Sequence, residues 1–232
     1  MSPRFACADF TFPLLPHDKA LALLRLLDFA FVDLGVFEGR SHHYPSTLAE
    51  DPKRHADAMV ASLRDHRLAA SDVFVQTGTE PPIHAANTPD DEIRTRNRRV
   101  FDAMLDYARG LGCGHVTGLP GVRHDGVSES DDWRRAVDEE NHRVEAAGHA
   151  GLTYAVEPHV GSITPDPDAA HRLVDAVPGL TLTLDYGHFV YQGMPNEALH
   201  PLIHHASHVH ARGGAAGQLQ STVKDSGIDS RR

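Results

Sequence analysis

The sequence predicts an α/β protein of the (β/α)8 TIM-barrel type, apparently truncated after strand 7. Three observations carry this reading. Short β-like runs alternate with amphipathic helical runs along all 232 residues, with no composition break or linker. Three late strands in succession each place a polar side chain near the C-terminal end of one face. The dinucleotide fingerprint of the competing architecture, an open doubly wound sheet, is missing from the first βα turn.

"RFACADFTF" reads as the first strand and "HDKALALLRLLD" as the first helix. "FAFVDLGVF" is a strand, followed by the helix "AEDPKRHADAMVASLRDH". "SDVFVQTG" is a strand, and "DDEIRTRNRRVFDAMLDYARGLG" a long helix in which Val100, Met104, Leu105, Ala108 and Leu111 keep the helical period. "GHVTGLPGV" is a strand, then "DDWRRAVDEENHRVEAAGHAG" a helix. "LTYAVEPHV", "LTLTLDYGHFV" and "SHVHAR" are strands, separated by the helices "DPDAAHRLVDAVPG" and "NEALHPLIHHA". About seven strand–helix units in strict alternation imply a parallel sheet and one domain over residues 1–232, with the last βα portion missing. "GLGCG" at 110–114 comes after a helix and reads as its C-terminal cap.

Composition narrows the function. Apolar residues make up 41% and charged residues 23%, as in ordinary soluble proteins. The N-terminus has no apolar core of signal-peptide length, no run is long enough to span a membrane, and a cytoplasmic enzyme is the expectation. Cys7 and Cys113 are too few and too far apart for a disulfide framework and read as buried thiols. A net charge of −10 opposes a nucleic-acid backbone as the main ligand.

The strand faces then point to a site. In "LTYAVEPH", Leu152, Tyr154 and Val156 oppose Thr153, Ala155 and Glu157. In "LTLTLD", Leu180, Leu182 and Leu184 oppose Thr181, Thr183 and Asp185. In "SHVHAR", Ser207, Val209 and Ala211 oppose His208, His210 and Arg212. One face of each strand is apolar or small and suits packing under helices. The other converges Glu157, Asp185 and His210 on the C-terminal mouth, where barrels of this kind keep their chemistry. Two carboxylates and an imidazole suit a divalent cation: Mn²⁺ is favoured, with Mg²⁺, Co²⁺ and Zn²⁺ as the other candidates. A strand-end carboxylate taken singly is ordinarily solvated or paired, so the shared position is what raises the metal reading. His188 stands three residues beyond Asp185, on the wrong face of a continuing strand, but Gly187 lets the chain turn it back over the mouth. Arg212 and His159 are rim candidates for substrate oxygens, Arg212 with a plain rim ion pair as the competing reading. His208 reads as a core histidine. His200 and His204 are four apart on a helix, where a solvated face is the better reading.

"YAVEPHVGS", "LTLDYGHF" and "HVHARGGAAGQLQ" resemble the xylose isomerase-like TIM barrels, in particular the bacterial sugar phosphate isomerase/epimerase group within the AP endonuclease family 2 superfamily. The βα order agrees over nearly the whole chain, and the specific part runs from Leu152 to Gln220. The resemblance implies a divalent metal held by Glu157, Asp185 and His210. It implies Glu157 as an acid–base residue, His188 in contact with the reacting substrate oxygens, and Arg212 as a substrate-binding arginine. The implied activity is isomerisation or epimerisation of a small sugar, sugar phosphate or related polyhydroxy carbonyl compound through an enediolate.

The family also uses a second glutamate from strand eight, as fourth ligand and second acid–base group, and no residue here matches it. Glu157, Asp185 and His210 are spaced at nearly equal intervals, and one further interval falls beyond Arg232. The tail "STVKDSGIDSRR" contains no glutamate. Asp33 and Glu38 are candidate substitutes. An uncovered parallel edge makes a homodimer one way of covering it. The competing functions are a lyase or dehydratase on the same platform, a catalytically impaired truncated barrel, and, last, an AP-endonuclease-like hydrolase. That hydrolase would need several histidines on early strands, where only His115 presents itself. The expected partner is a small polyol or sugar, with no nucleic acid and no membrane.

Overall fold

The computed structural model describes residues 4–228. Seven strands lie in one sheet in the order of the sequence: β1 (Ala6–Ala8), β2 (Phe31–Phe37), β3 (Ala69–Gln76), β4 (His115–Gly118), β5 (Thr153–Val156), β6 (Thr181–Asp185) and β7 (Ala206–His210). The pairings of β1 with β2, β2 with β3, β3 with β4, β5 with β6 and β6 with β7 are all parallel. The helices between them are α1 (His17–Leu26), α2 (Pro45–Leu48), α3 (Pro52–Asp65), α4 (Asp91–Gly110), α5 (Glu129–His149), α6 (Pro167–Ala176) and α7 (Tyr186–Tyr191). Among the described residues, no helix is long and apolar enough to cross a membrane.

Helix starts are written locally. Asp51 caps α3 by accepting from the Arg54 N–H at 3.1 Å, with Pro52 in the first turn. Asp90 caps α4 by accepting from Glu92 and Ile93 at 2.9 and 3.0 Å. Asp166 caps α6 by accepting from Ala169 at 2.8 Å, again with a proline next in the chain. In each case a short acidic side chain satisfies N–H groups that have no partner inside the helix, and proline gives up no hydrogen bond there.

The chain divides into two compact units. The first comprises the residues through Ala85, Asp90–Gly118 and Glu145–Tyr154. Its core joins Leu34, Val36, Val73 and Val116 of the strands to Leu21 and Leu24 of α1 and to Phe101, Met104, Leu105 and Ala108 of α4. The second comprises Ala86–Pro89, Leu119–Val144 and the residues from Ala155 onward. Its core joins Val156, Leu182 and Leu184 to Leu173, Phe189, Leu199 and Leu202. In this unit Gly121 takes φ +102°, a conformation open to glycine, and an added Cβ would sit 2.4 Å from Asn87 Oδ1. That oxygen accepts from the Val122 N–H at 2.9 Å and so fixes the loop after β4.

Several sequence expectations are corrected. β1 stops at Ala8, because Asp9 begins a short 3-10 turn and its buried carboxylate accepts from the Gly35 N–H at 2.9 Å. The strand expected through Val190 ends at Asp185, and α7 begins at once. The helix expected at 196–206 is a 3-10 helix, Asn196–His205, with Pro201 inside it denying the α-helical bonding pattern. Ser207 and Val209, expected to pack under a helix, are exposed, Val209 at 56%. Among the described residues, the chain after His210 is loop with an isolated bridge between Ala215 and Gln218 and a 3-10 turn, Val223–Asp225. His208 is only half-buried, its ring edge-on to His210.

Cys113 is buried and Cys7 partly so, neither in a disulfide. Burial pushes the Cys113 thiol up to about 12. Iodoacetamide at about pH 8 is therefore expected to leave Cys113 unmodified in the native protein and to modify it once urea unfolds the chain. Peptide mass spectrometry reads the result, and rapid native labelling of Cys113 would contradict this packing.

Candidate metal and acid–base site

The site lies in the second unit, at the C-terminal ends of β5, β6 and β7. Parallel pairing sets Asp185 directly against His210 and Thr183 against His208. Glu157 comes immediately after β5 and is followed by Pro158 and a turn closed by Ser162. The Ser162 hydroxyl donates to the His159 carbonyl at 2.7 Å, and the Ser162 N–H to the same carbonyl at 3.1 Å.

Asp185 does two things. It is the N-cap of α7, with Oδ1 accepting from the Gly187 N–H at 2.7 Å. Its Oδ2 lies 2.7 Å from Arg212 Nε and 3.8 Å from His188 Nε2. His188 thus sits in the first helical turn, three residues after the cap, where a side chain reaches back towards the capping residue. The helix, and not a bent strand, is what returns His188 to the mouth.

The remaining contacts complete the cluster. His210 Nδ1–H donates to Glu157 Oε1 at 2.5 Å. His188 Nε2 lies 3.7 Å from Glu157 Oε2, and Arg212 Nη2 donates to His188 Nε2 at 3.2 Å. The His159 ring packs against His188 with centroids 5.7 Å apart, and its Nδ1–H donates to the Val160 carbonyl at 2.9 Å. All six residues singled out in the sequence, Glu157, His159, Asp185, His188, His210 and Arg212, are therefore brought together.

Electrostatics set the two carboxylates apart. Burial disfavours the Glu157 anion, but the imidazoles of His188 and His210 outweigh burial and hold its carboxyl well below the usual range. Burial and the Glu157 charge push Asp185 up, against the pull of Arg212. Burial lowers His159 and favours its neutral imidazole. A buried carboxylate that stays ionised needs such partners.

The donor set fits a divalent ion. One ligand atom each from Glu157, Asp185 and His188 lies within 4.8 Å of the others. Two carboxylate oxygens and an imidazole nitrogen suit a hard to borderline cation. His159 Nε2 is buried with no hydrogen-bond partner among the described residues, and because that ring donates through Nδ1 it keeps the Nε2 lone pair to offer; on His188 the lone pair is at Nε2, where Arg212 donates. His210 reaches this group through Glu157.

The two candidate substitutes for a second glutamate have partners in the first unit. Asp33 is the third residue of β2, not its end, and accepts from the Ser71 hydroxyl. Glu38 accepts from the Ser46 N–H and hydroxyl at 3.2 and 2.8 Å and anchors the start of α2. His115 opens β4 at its N-terminal end, away from the rim expected of it, and bonds to Asp72 at 2.7 Å.

Sequence reasoning passed over a second polar cluster, in the first unit. Asp9 Oδ2 lies 3.1 Å from His17 Nε2, and His17 Nδ1 lies 3.1 Å from His43 Nε2. The His42 ring packs on His17 at 4.9 Å. Burial lowers His43 to about 4, so the ring is neutral at physiological pH. The only local signal was the histidine pair after β2, and Asp9 and His17 lie too far away in sequence to flag it.

The model of the xylose isomerase-like TIM barrel family matches residues 21–226. The chain belongs to that family, and the fold is of the TIM-barrel type. Solved structures agree on the fold. An AP endonuclease of family 2 from Brucella melitensis superposes with a TM-score of 0.71 at 21% identity, over 90% of this chain and 78% of that one. D-psicose 3-epimerase with D-tagatose from Clostridium cellulolyticum H10 gives 0.71 at 13% identity, over 91% and 73%. A xylose isomerase-like TIM barrel protein from Mycobacterium smegmatis in complex with magnesium gives 0.70 at 16% identity, over 90% and 74%. No curated protein sequence matches this one.

The double duty of Asp185 is testable. Asn keeps the N-cap oxygen and removes the charge, whereas Ala removes both. Asp185→Ala is expected to be less stable than Asp185→Asn by about 1 kcal/mol. Urea denaturation measures the difference, and equal midpoints would contradict the capping role.

Proposed function

We propose that this chain is a divalent-metal-dependent isomerase or epimerase of a small sugar, sugar phosphate or related polyhydroxy carbonyl compound. The observation that carries the reading is the cluster of Glu157, Asp185 and His188 donor atoms, ringed by His210, Arg212 and His159. Glu157, Asp185 and His188 or His210 would hold the ion. When bound, it supplies Lewis-acid stabilisation of the negative charge that develops on a substrate oxygen. Mn²⁺ is the favoured ion on the chemistry of the donors.

The residues of the chain do the rest. Glu157 is kept ionised in a buried setting by two imidazoles, which supplies the proton-free carboxylate a general base requires; it is the group assigned to take the proton alpha to a carbonyl. His210 orients that carboxylate through Oε1. His188 is held by Arg212 on one side and packed by His159 on the other, which fixes a ring able to bond substrate oxygens. His159 is neutral and offers Nε2 as an acceptor for a hydroxyl. Convergent polar side chains of this density suit a polyhydroxylated ligand better than an apolar one.

Solvent deuterium exchange tests this. With Mn²⁺ present, the protein should wash deuterium into the carbon alpha to the carbonyl of at least one ketose among D-psicose, D-fructose, D-tagatose, L-ribulose and their phosphate esters. Glu157→Gln should lower the rate by about a hundredfold or more. Exchange that persists in Glu157→Gln, or none with any ketose, would contradict the reading.

A further inference from the structure

Arg212 engages the same two side chains that the proposed metal site requires. Its Nε lies 2.7 Å from Asp185 Oδ2, and its Nη2 donates to His188 Nε2 at 3.2 Å. Asp185 Oδ1 is committed to the Gly187 N–H. Oδ2 is therefore the oxygen this carboxylate has to offer a cation, and Arg212 Nε already lies against it as an ion pair.

The arrangement is built by the backbone. Gly187 passes so close that an added Cβ would sit 3.0 Å from Arg212 Nε and 2.9 Å from Asp185 Oδ1. A Cβ on Gly214, two residues beyond Arg212, would lie 3.1 Å from the Gly187 Cα. Two glycines thus make the room in which the Arg212 side chain folds back from the end of β7 onto the start of α7. Glu157 and Asp185 are both buried and need compensating positive charge, and Arg212 brings a permanent one into contact with Asp185. The Arg212 side chain keeps 26% exposure, so its outer edge reaches solvent.

We propose that Arg212 is a resident counter-cation that exchanges with a divalent ion at Asp185, and that the released guanidinium then binds an oxyanion of the substrate. This rests on the metal reading of the same site. Two cations that compete for one carboxylate oxygen are negatively coupled, and the coupling is reciprocal: the ion loosens Arg212 as much as Arg212 weakens the ion. A planar guanidinium freed from a carboxylate is matched to a second carboxylate or to a phosphate. Metal loading and capture of an anionic substrate group become ordered events at one rim. A phosphorylated or carboxylated polyol would then be preferred over an uncharged one.

The test uses the wild-type protein first. Phenylglyoxal labelling of Arg212, read by peptide mass spectrometry, is compared with and without saturating Mn²⁺. The ion should speed labelling by about fivefold or more. Inorganic sulfate should then protect Arg212 when Mn²⁺ is present and not when it is absent. Calorimetric titration with Mn²⁺ completes the set: Arg212→Gln should bind about tenfold tighter than wild type, and Arg212→Lys, which keeps a charge near Asp185, should fall between them. Thermal denaturation confirms that the variants fold, and the labelling arm stands without them. Labelling that is unchanged or slowed by bound Mn²⁺, or Arg212→Gln binding no tighter than wild type, overturns the exchange while leaving the metal site in place. Failure of wild type and Arg212→Gln alike to bind Mn²⁺ overturns the metal reading, and the exchange with it.

Discussion

The Asp185 carboxylate organises the second unit's site. One oxygen ends β6 by capping α7, and the other faces Arg212 and His188. Because the cap fixes the side chain's direction, it also sets the position of His188, one helical turn on. Because β6 and β7 are paired in register, His210 is placed opposite Asp185 as well. Glu157 is then held by the imidazoles that these two elements supply. A charge placed elsewhere on β6 would have neither the cap nor the register to aim it.

The electrostatics are those of a site built to hold charge and not to hide it. A buried carboxylate without partners would take up a proton. Glu157 escapes this through His188 and His210, while Asp185 is balanced between its burial beside Glu157 and its contact with Arg212. Such a balance is responsive: the addition or removal of one positive charge redistributes the others. In the first unit, Asp9, His17 and His43 show the contrasting case, in which a buried carboxylate orders a row of imidazoles by hydrogen bonds and burial keeps the last one neutral.

Much of this was legible in the chain. The alternation of periods gives the parallel order β1 to β7, and the matching faces of "LTYAVEPH", "LTLTLD" and "SHVHAR" single out Glu157, Asp185 and His210. What misled was apolar content without regard to capping. Phe189 and Val190 look like a continuing strand, but Asp185 supplies a cap two residues before the Gly187 N–H, and the local hydrogen bond wins. Pro201 likewise decides between α and 3-10 bonding over a stretch whose hydrophobic pattern suits either. The exposure of Val209 on β7 was invisible because alternation reports which residues share a face, not whether anything covers it. The Asp9–His17–His43 row was out of reach because its members meet only once β1, α1 and the loop after β2 are in place.

The most direct test of the metal site is anomalous diffraction from crystals soaked in Mn²⁺. A strong anomalous peak is predicted within bonding distance of Glu157, Asp185 and an imidazole of His188 or His210, at about 2.0–2.3 Å. No peak at these side chains under saturating Mn²⁺, or one bound only elsewhere, would contradict it.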